Sequence, residues 1–387
     1  MSVDPLLLAL VRGELAGARE QLALLQDPSR AAEGRERVRI AAARHARVDT
    51  GLLDALCASL FGYGPLQPFM DDPAVTDILV NGATEVFVER HGRLERVEAR
   101  FADTDELADL GFRIAAAVGR ELTIDHPYLD ARLADGSRAN VVIAPVGGPT
   151  LCIRKVRREA LPLDAWVERK ALDRAAASFL ERAVAGRLNV LIAGATGSGK
   201  STLLRALAEL VPADERIVVV EDTAELVLQH PHVVRLECVP PREGHAGVRV
   251  AELVENALRM RPDRLIVGEI RTPREAYAAL EALATGHQGS ATTVHGADAT
   301  EALARLELLL LRADAAIPLA AARAHVRRAF DVVVALRRER DGLRVVTAIS
   351  IVAEDPVDLF RREGATLRRL AVDVAAVRER VREALAT

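Results

Sequence analysis

The run Gly194, Ala195, Thr196, Gly197, Ser198, Gly199, Lys200, Ser201 and Thr202 has the spacing G-x-x-x-x-G-K-S. Glycines so placed let successive backbone N–H groups turn toward one anion, and the lysine adds a compact positive charge. An apolar stretch, Leu188–Ala193, precedes the run. An amphipathic one, Thr202–Val211, follows and is stopped by Pro212. Strand, loop and helix in that order put a helix N-terminus behind the anion. The chemistry expected is binding of a nucleoside triphosphate such as ATP, with Lys200 on the β- and γ-phosphates and the Ser201 hydroxyl on Mg²⁺. The lysine is itself informative, because Lys155, Lys170 and Lys200 are the chain's three lysines and arginine is used everywhere else.

Binding is not hydrolysis, and the acids that follow carry the difference. Arg264–Arg271 is an apolar run closed by Glu269. A carboxylate at the C-terminal end of such a strand sits where ligands bind in α/β sheets, placed to polarise water or join a magnesium shell. A second run, Arg216–Thr223, ends in Glu221 and Asp222, oxygen ligands suited to Mg²⁺, although adjacent acids are often a solvated turn. His287 and His295 flank a short apolar run among small residues. They are candidates for sensing or shuttling protons; eight apart, they lack zinc-ligand spacing on their own. Cys57, Cys152 and Cys238 stand far apart, giving no zinc framework and no disulfide scaffold.

These residues need a sheet to position them. Five apolar runs alternate with helical ones: Asn189–Ala193, Arg216–Glu221, Val233–Glu237, Leu265–Gly268 and Ala291–His295. That alternation predicts parallel strands with helical crossovers, an α/β architecture. From about residue 300 the chain reads as helical, with further apolar runs at Asp331–Leu336 and Leu343–Val352 and a solvated helix over the last thirty residues. Upstream, residues 1–60 read as a helical segment broken near Asp27–Arg30. Residues 62–158 read as a small α+β domain. Its strand runs are Thr76–Val80, Glu85–Glu89, Val141–Ile143 and Leu151–Val156, with a helix near Asp103–Val118. Residues 159–172 are the expected linker and residues 173–387 the nucleotide domain.

The composition, 50% hydrophobic and 28% charged over 387 residues, fits two or three globular domains. No apolar run approaches membrane-spanning length, and Asp4 stands where a signal peptide wants positive charge, so a cytoplasmic location is expected. A net charge of −4 with 3% aromatic residues speaks against direct nucleic-acid binding.

In this order the segments resemble the type II/type IV secretion-system ATPase family over roughly residues 60–350. Gly194–Thr202, Arg216–Glu225, Leu265–Arg271 and Gly286–His295 stand where the family has its Walker A, Asp, Walker B and His boxes. The wording of Thr76–Gly82, Asp130–Asn140 and Asn256–Asp263 is most similar to the tight-adherence (Tad) pilus branch, the CpaF-like ATPases. The resemblance implies a RecA-like core with a mostly parallel sheet, preceded by a small α+β domain that closes over the nucleotide. It also implies a homohexamer working with inner-membrane platform proteins at the inner face of the cell membrane, in pilus assembly or protein secretion. By motif position, Arg138 and Arg154 are its candidate phosphate-reaching arginines. The plain alternative is that both are solvated surface cations. A RecA-like nucleic-acid motor and a non-catalytic nucleotide-gated scaffold are the competing functions.

Overall fold

The computed structural model describes residues 3–15, 31–156, 161–239, 241, 246–284, 286–314, 316–373 and 378–386. The chain divides into two compact units, residues 1–157 and 158–387.

In the first unit, helices α1 (Pro5–Leu15), α2 (Ala31–Ala43) and α3 (Thr50–Phe61) bury Leu8, Val11, Val38, Leu56 and Leu60 in one cluster. The Asp49 side chain caps α3 by accepting from the Leu52 N–H at 2.8 Å. The helix break expected at Asp27–Arg30 lies outside the described residues. A short helix, α4 (Gln67–Asp71), leads into β1 (Val75–Asn81), β2 (Glu85–Arg90) and β3 (Arg93–Val97). Helix α5 (Thr104–Ala117) follows, then β4 (Tyr128–Arg132), β5 (Arg138–Val142) and β6 (Thr150–Arg154). The six strands form one antiparallel sheet in the order β3-β2-β1-β6-β5-β4. Ile78, Val80, Val86, Val88, Ala139, Val141, Leu151 and Ile153 alternate onto its buried face. Helix α5 covers that face with Leu107, Leu110, Gly111 and Ile114, the i, i+3, i+4, i+7 spacing of an amphipathic helix.

The second unit begins with α6 (Leu163–Glu168) and α7 (Arg174–Ala185), followed by β7 (Val190–Gly194) and α8 (Lys200–Ala208). Next come β8 (Ile217–Glu221), β9 (Val233–Glu237), α9 (Val250–Ala257), β10 (Arg264–Val267), α10 (Pro273–Ala284) and β11 (Ala291–Val294). Helices α11 (Ala299–Ala313) and α12 (Leu319–Ala329) precede β12 (Val332–Arg338), β13 (Arg344–Ile351), β14 (Val357–Glu363), β15 (Thr366–Arg369) and α13 (Glu379–Ala386). The sheet runs β15-β14-β13-β12-β7-β11-β10-β8-β9. Strands β7, β8 and β10 are buried throughout because both faces are covered. Val190, Ile192, Ile217 and Val219 enter one core, with α7 and α8. Leu191, Ala193, Val218 and Val220 enter the other, with α9, α10 and α11.

Three expectations change. The sheet is mixed: neighbours from β12 to β9 are parallel, but β12–β13, β13–β14 and β14–β15 are antiparallel. No helical crossover separates these last strands, and short connections join only antiparallel neighbours. The stretch 159–172 is no plain linker, because α6 within it sinks Leu163 and Trp166 into the second unit's core. The chain beyond residue 300 is not chiefly helical. The last thirty residues include all but the first residue of β14, and β15, whose Leu359, Phe360 and Leu367 are buried, and α13 buries Val381.

Candidate functional site

Strand β7 delivers the chain to the loop between Gly194 and Lys200. Gly197 (φ 73°) and Gly199 (φ 100°) turn the backbone through the left-handed region, which a side chain would strain. Helix α8 starts at Lys200, so Ser201 and Thr202 lie in its first turn. Lys200 Nζ donates to the Gly194 and Ala195 carbonyls at 2.9 and 3.0 Å and lies 3.8 Å from Glu269 Oε1. Burial holds its pKa below the usual lysine value, with Glu269 pulling the other way. Ser198 Oγ is buried without a partner, a polar atom left over inside the loop. A cradle of amides, an ammonium and a helix N-terminus fits a polyphosphate.

Glu269 lies two residues past the end of β10 and sits at the centre of a charged cluster. Arg271 Nε and Nη2 reach its Oε2 at 2.7 and 2.6 Å, and His295 Nε2 lies 3.2 Å from Oε1. Arg271 Nη1 also meets Asp222 Oδ2 at 3.5 Å, tying the ends of β8 and β10 together. The His295 pKa is lowered, first by burial and then by the Lys200 charge, against the attraction of Glu269.

The two acids after β8 part company. Asp222 is exposed, whereas Glu221 turns inward and accepts the Glu225 and Leu226 N–H groups at 2.9 and 3.1 Å. Burial pushes the Glu221 pKa up to about 7, and those two bonds oppose it. Among the described residues no three His, Cys, Asp or Glu side chains gather as a metal cage. The donor set left for Mg²⁺, the Ser201 hydroxyl and the Asp222 and Glu269 carboxylates, is all oxygen. It suits an ion that keeps waters and takes the rest of its shell from phosphates.

His287 does not join this cluster. Strand β11 runs parallel to β7, so His295 leaves it at the loop's edge of the sheet, while His287 precedes it. At least a strand length, ~13 Å, separates the two. The His287 ring contacts the Ala282 carbonyl at 3.1 Å, and its own carbonyl accepts from Ser290 Oγ at 2.7 Å. Arg138 and Arg154 belong to the first unit, where they are direct partners across β5 and β6, with Arg132 the next partner of Arg138. All three alternate with buried Ala131, Ala139 and Ile153 and so share the sheet's other face, and Arg154 Nε bonds Asp77 at 3.1 Å.

Sequence reasoning did not single out Arg271, Arg344 or Trp166. Arg271 stands inside the carboxylate-ended motif, but its pairing emerges only when β8 and β10 lie side by side. Arg344 Nε donates to the Gly197 carbonyl at 3.0 Å from a strand far along the chain. The chain's single tryptophan, 2% exposed, props the loop from the segment expected to be a linker.

Comparison with known proteins identifies the family of the chain. The profile of the family described as "Type II/IV secretion system protein" matches residues 60–383. A putative conjugal transfer protein of Mycobacterium tuberculosis is 38% identical over 311 residues, covering 78% of this chain and 88% of that protein. The type IV secretion system protein VirB11 of Brucella suis is 33% identical over 280 residues, covering 65% of this chain and 77% of that protein. The solved structure of the Legionella pneumophila ATPase DotB superposes with a TM-score of 0.55 at 24% identity, over 75% of this chain and 80% of that one, a likeness of fold. A phosphate-binding loop facing a carboxylate-ended strand, in a chain matched by that profile over most of its length, belongs to the type II/IV secretion system protein family, which comprises ATPases.

Proposed function

We propose that this protein hydrolyses ATP and passes the resulting movement to a pilus-assembly or secretion machine. The observation that carries this reading is the placement of Glu269 Oε1 between Lys200 of the loop, at 3.8 Å, and His295, at 3.2 Å. A carboxylate there orients water against the terminal phosphoryl group, while the loop amides and Lys200 hold the phosphates. Arg271 keeps the Glu269 carboxylate aimed, and Glu221 holds the backbone after β8. Ser201, with Asp222, would hold Mg²⁺, whose part is to neutralise charge on the phosphate oxygens. Arg138 and Arg154 are assigned, on the family resemblance, to stabilising charge on the γ-phosphoryl oxygens.

The core is read as RecA-like and the working assembly as a homohexamer at the inner face of the membrane, with platform proteins as partners and no direct contact to nucleic acid. On the resemblance of its sequence strings, the chain is read as a member of the CpaF-like Tad branch. The conjugal-transfer and VirB11 relatives support a secretion role in the wider sense. ATP turnover of the full chain compared with Lys200→Ala and Glu269→Gln tests the reading. Each variant is expected to lose at least ~100-fold in kcat, and equal rates in all three would sink it.

A further inference from the structure

Helix α6 carries the chain's single tryptophan, Trp166, into the core that also holds Leu203 of α8 and Leu336 of β12. One edge of the indole reaches the phosphate-binding loop. A Cβ added at Gly199 would stand 3.5 Å from Trp166 Cη2 and 3.2 Å from Arg344 Cδ, so an aromatic edge and an aliphatic stem bracket this residue. Gly199 is the last loop residue before Lys200 and turns at φ 100°. The ring is anchored away from the loop. The Trp166 carbonyl accepts the Ala171 and Leu172 N–H groups at 2.9 and 3.3 Å. The Ala171 carbonyl in turn accepts the Val346 N–H of β13 at 2.9 Å and Arg362 Nη2 at 2.8 Å. Asp164 of α6 pairs with Arg174 of α7 at 2.6 Å. The tryptophan is therefore fixed to the sheet and to α7, and the loop lies against its far end.

Packing alone does not account for this side chain. Trp166 Nε1 is buried and has no acceptor among the described residues. A buried N–H left unmatched opposes folding, and phenylalanine would put an aromatic ring in the same core without one. What phenylalanine lacks is reach. Its shorter ring stops before the point that Cη2 occupies, and a gap of roughly 0.5–1 Å forfeits a quarter to a half of a contact's attraction. Gly199 is also where support matters, because glycine has the most conformational freedom to lose on ordering. A loop already held in its turn binds an anion more tightly than one that must be ordered by it. We infer that Trp166 is a positioning residue for the phosphate-binding loop. The far edge of its indole fixes the Gly199 turn, and with it the loop amides and the seat of Lys200. This inference rests on reading the loop as a nucleotide site and deepens it. Affinity for phosphates is set in part from α6, outside the loop's own motif.

Calorimetric titration of the full chain with MgADP and with magnesium pyrophosphate, alongside thermal melts and ATP turnover, tests it. Trp166→Phe is expected to melt within about 4 °C of wild type. It is expected to bind both ligands about tenfold more weakly, in equal proportion, because the loop meets phosphates and not the base. The loss should appear in KM, with kcat within about threefold, because Glu269 and His295 are held by β10 and β11. Val381→Ala removes bulk from the same core at α13 and is the control. Its melting temperature is expected to fall while affinity for both ligands stays within about twofold. Wild-type affinity in Trp166→Phe would overturn the inference, as would a loss confined to ADP or a loss in kcat with KM kept. An equal affinity loss in Val381→Ala would make binding a by-product of core packing and would also overturn it. Wild type that binds neither ligand would overturn the nucleotide-site reading together with it.

Discussion

Glu221 is a buried carboxylate whose ordinary charge the fold resists. Burial raises its pKa to about 7, so the folded chain keeps a proton that the unfolded chain releases near the usual glutamate value of ~4.3. Between those two values the folded state binds more protons, and stability therefore falls as pH rises through that window. Gln at this position keeps an oxygen that can accept the Glu225 and Leu226 amides and has no charge to bury. Glu221→Gln is expected to stabilise the second unit by about 1–3 kcal/mol at pH 8 and to contribute little near pH 4.5. Urea unfolding at the two pH values checks this, and an equal change at both would contradict the buried-charge account. The adjacency of Glu221 and Asp222 was legible in the sequence. That one acid turns inward while the other stays exposed was not, because it depends on which amides the following turn offers.

The segment Gly286–His295 reads as one motif along the chain but serves two ends of the sheet. Its far half, beyond β11, carries His295 to Glu269; its near half closes the base. Arg264, fully buried, bonds Glu215 at 2.5 and 3.1 Å and the Val184 carbonyl at 2.9 Å, and it fills the space beside Gly289. A Cβ at Gly289 would stand 1.9 Å from Arg264 Nη1, on a backbone already at φ 78°. Gly289→Ala is expected to cost about 3 kcal/mol or more, since it strains the backbone and displaces a buried ion pair. A thermal melt checks this, and a drop of less than a few degrees would show that Arg264 has room to move. Among the strands, β7, β8 and β10 stood out as unbroken apolar runs. Strand β3 did not, because Arg93, Leu94, Glu95 and Arg96 are all exposed on an edge and no alternation marks them. Strand β14 was hidden by a register shift in its pairing with β13, near consecutive buried Leu359 and Phe360.

In the whole second unit, the described end of the chain is locked to the strand that feeds the loop. Asp331, fully buried, accepts the Asn189 N–H at 2.8 Å, just before β7, and meets Arg378 at 3.0 Å and Arg380 at 2.7 Å. Val381 and Ala384 pack into the core shared with α7, and Arg182 Nε bonds the Ala384 carbonyl at 2.9 Å. Replacing Arg378 and Arg380 together by Ala leaves a buried carboxylate without its cations and is expected to cost about 3–5 kcal/mol. Scanning calorimetry should show the second unit's transition lowered, and an unchanged transition would refute the lock. The sequence by itself determined a phosphate-binding loop on an α/β scaffold, because that loop is a local string whose glycines, lysine and following helix suffice to define it. It also marked Glu269 and the pair Glu221 and Asp222 as candidate acids beside it, at the ends of two apolar runs. Only the tertiary structure decided the partners: Arg271 and His295 on Glu269, the inward turn of Glu221, the distance of His287 and the Arg344 bond to Gly197. Each depends on which strands become neighbours, and side-chain burial and charge pairing across a sheet are set by that order rather than by spacing along the chain.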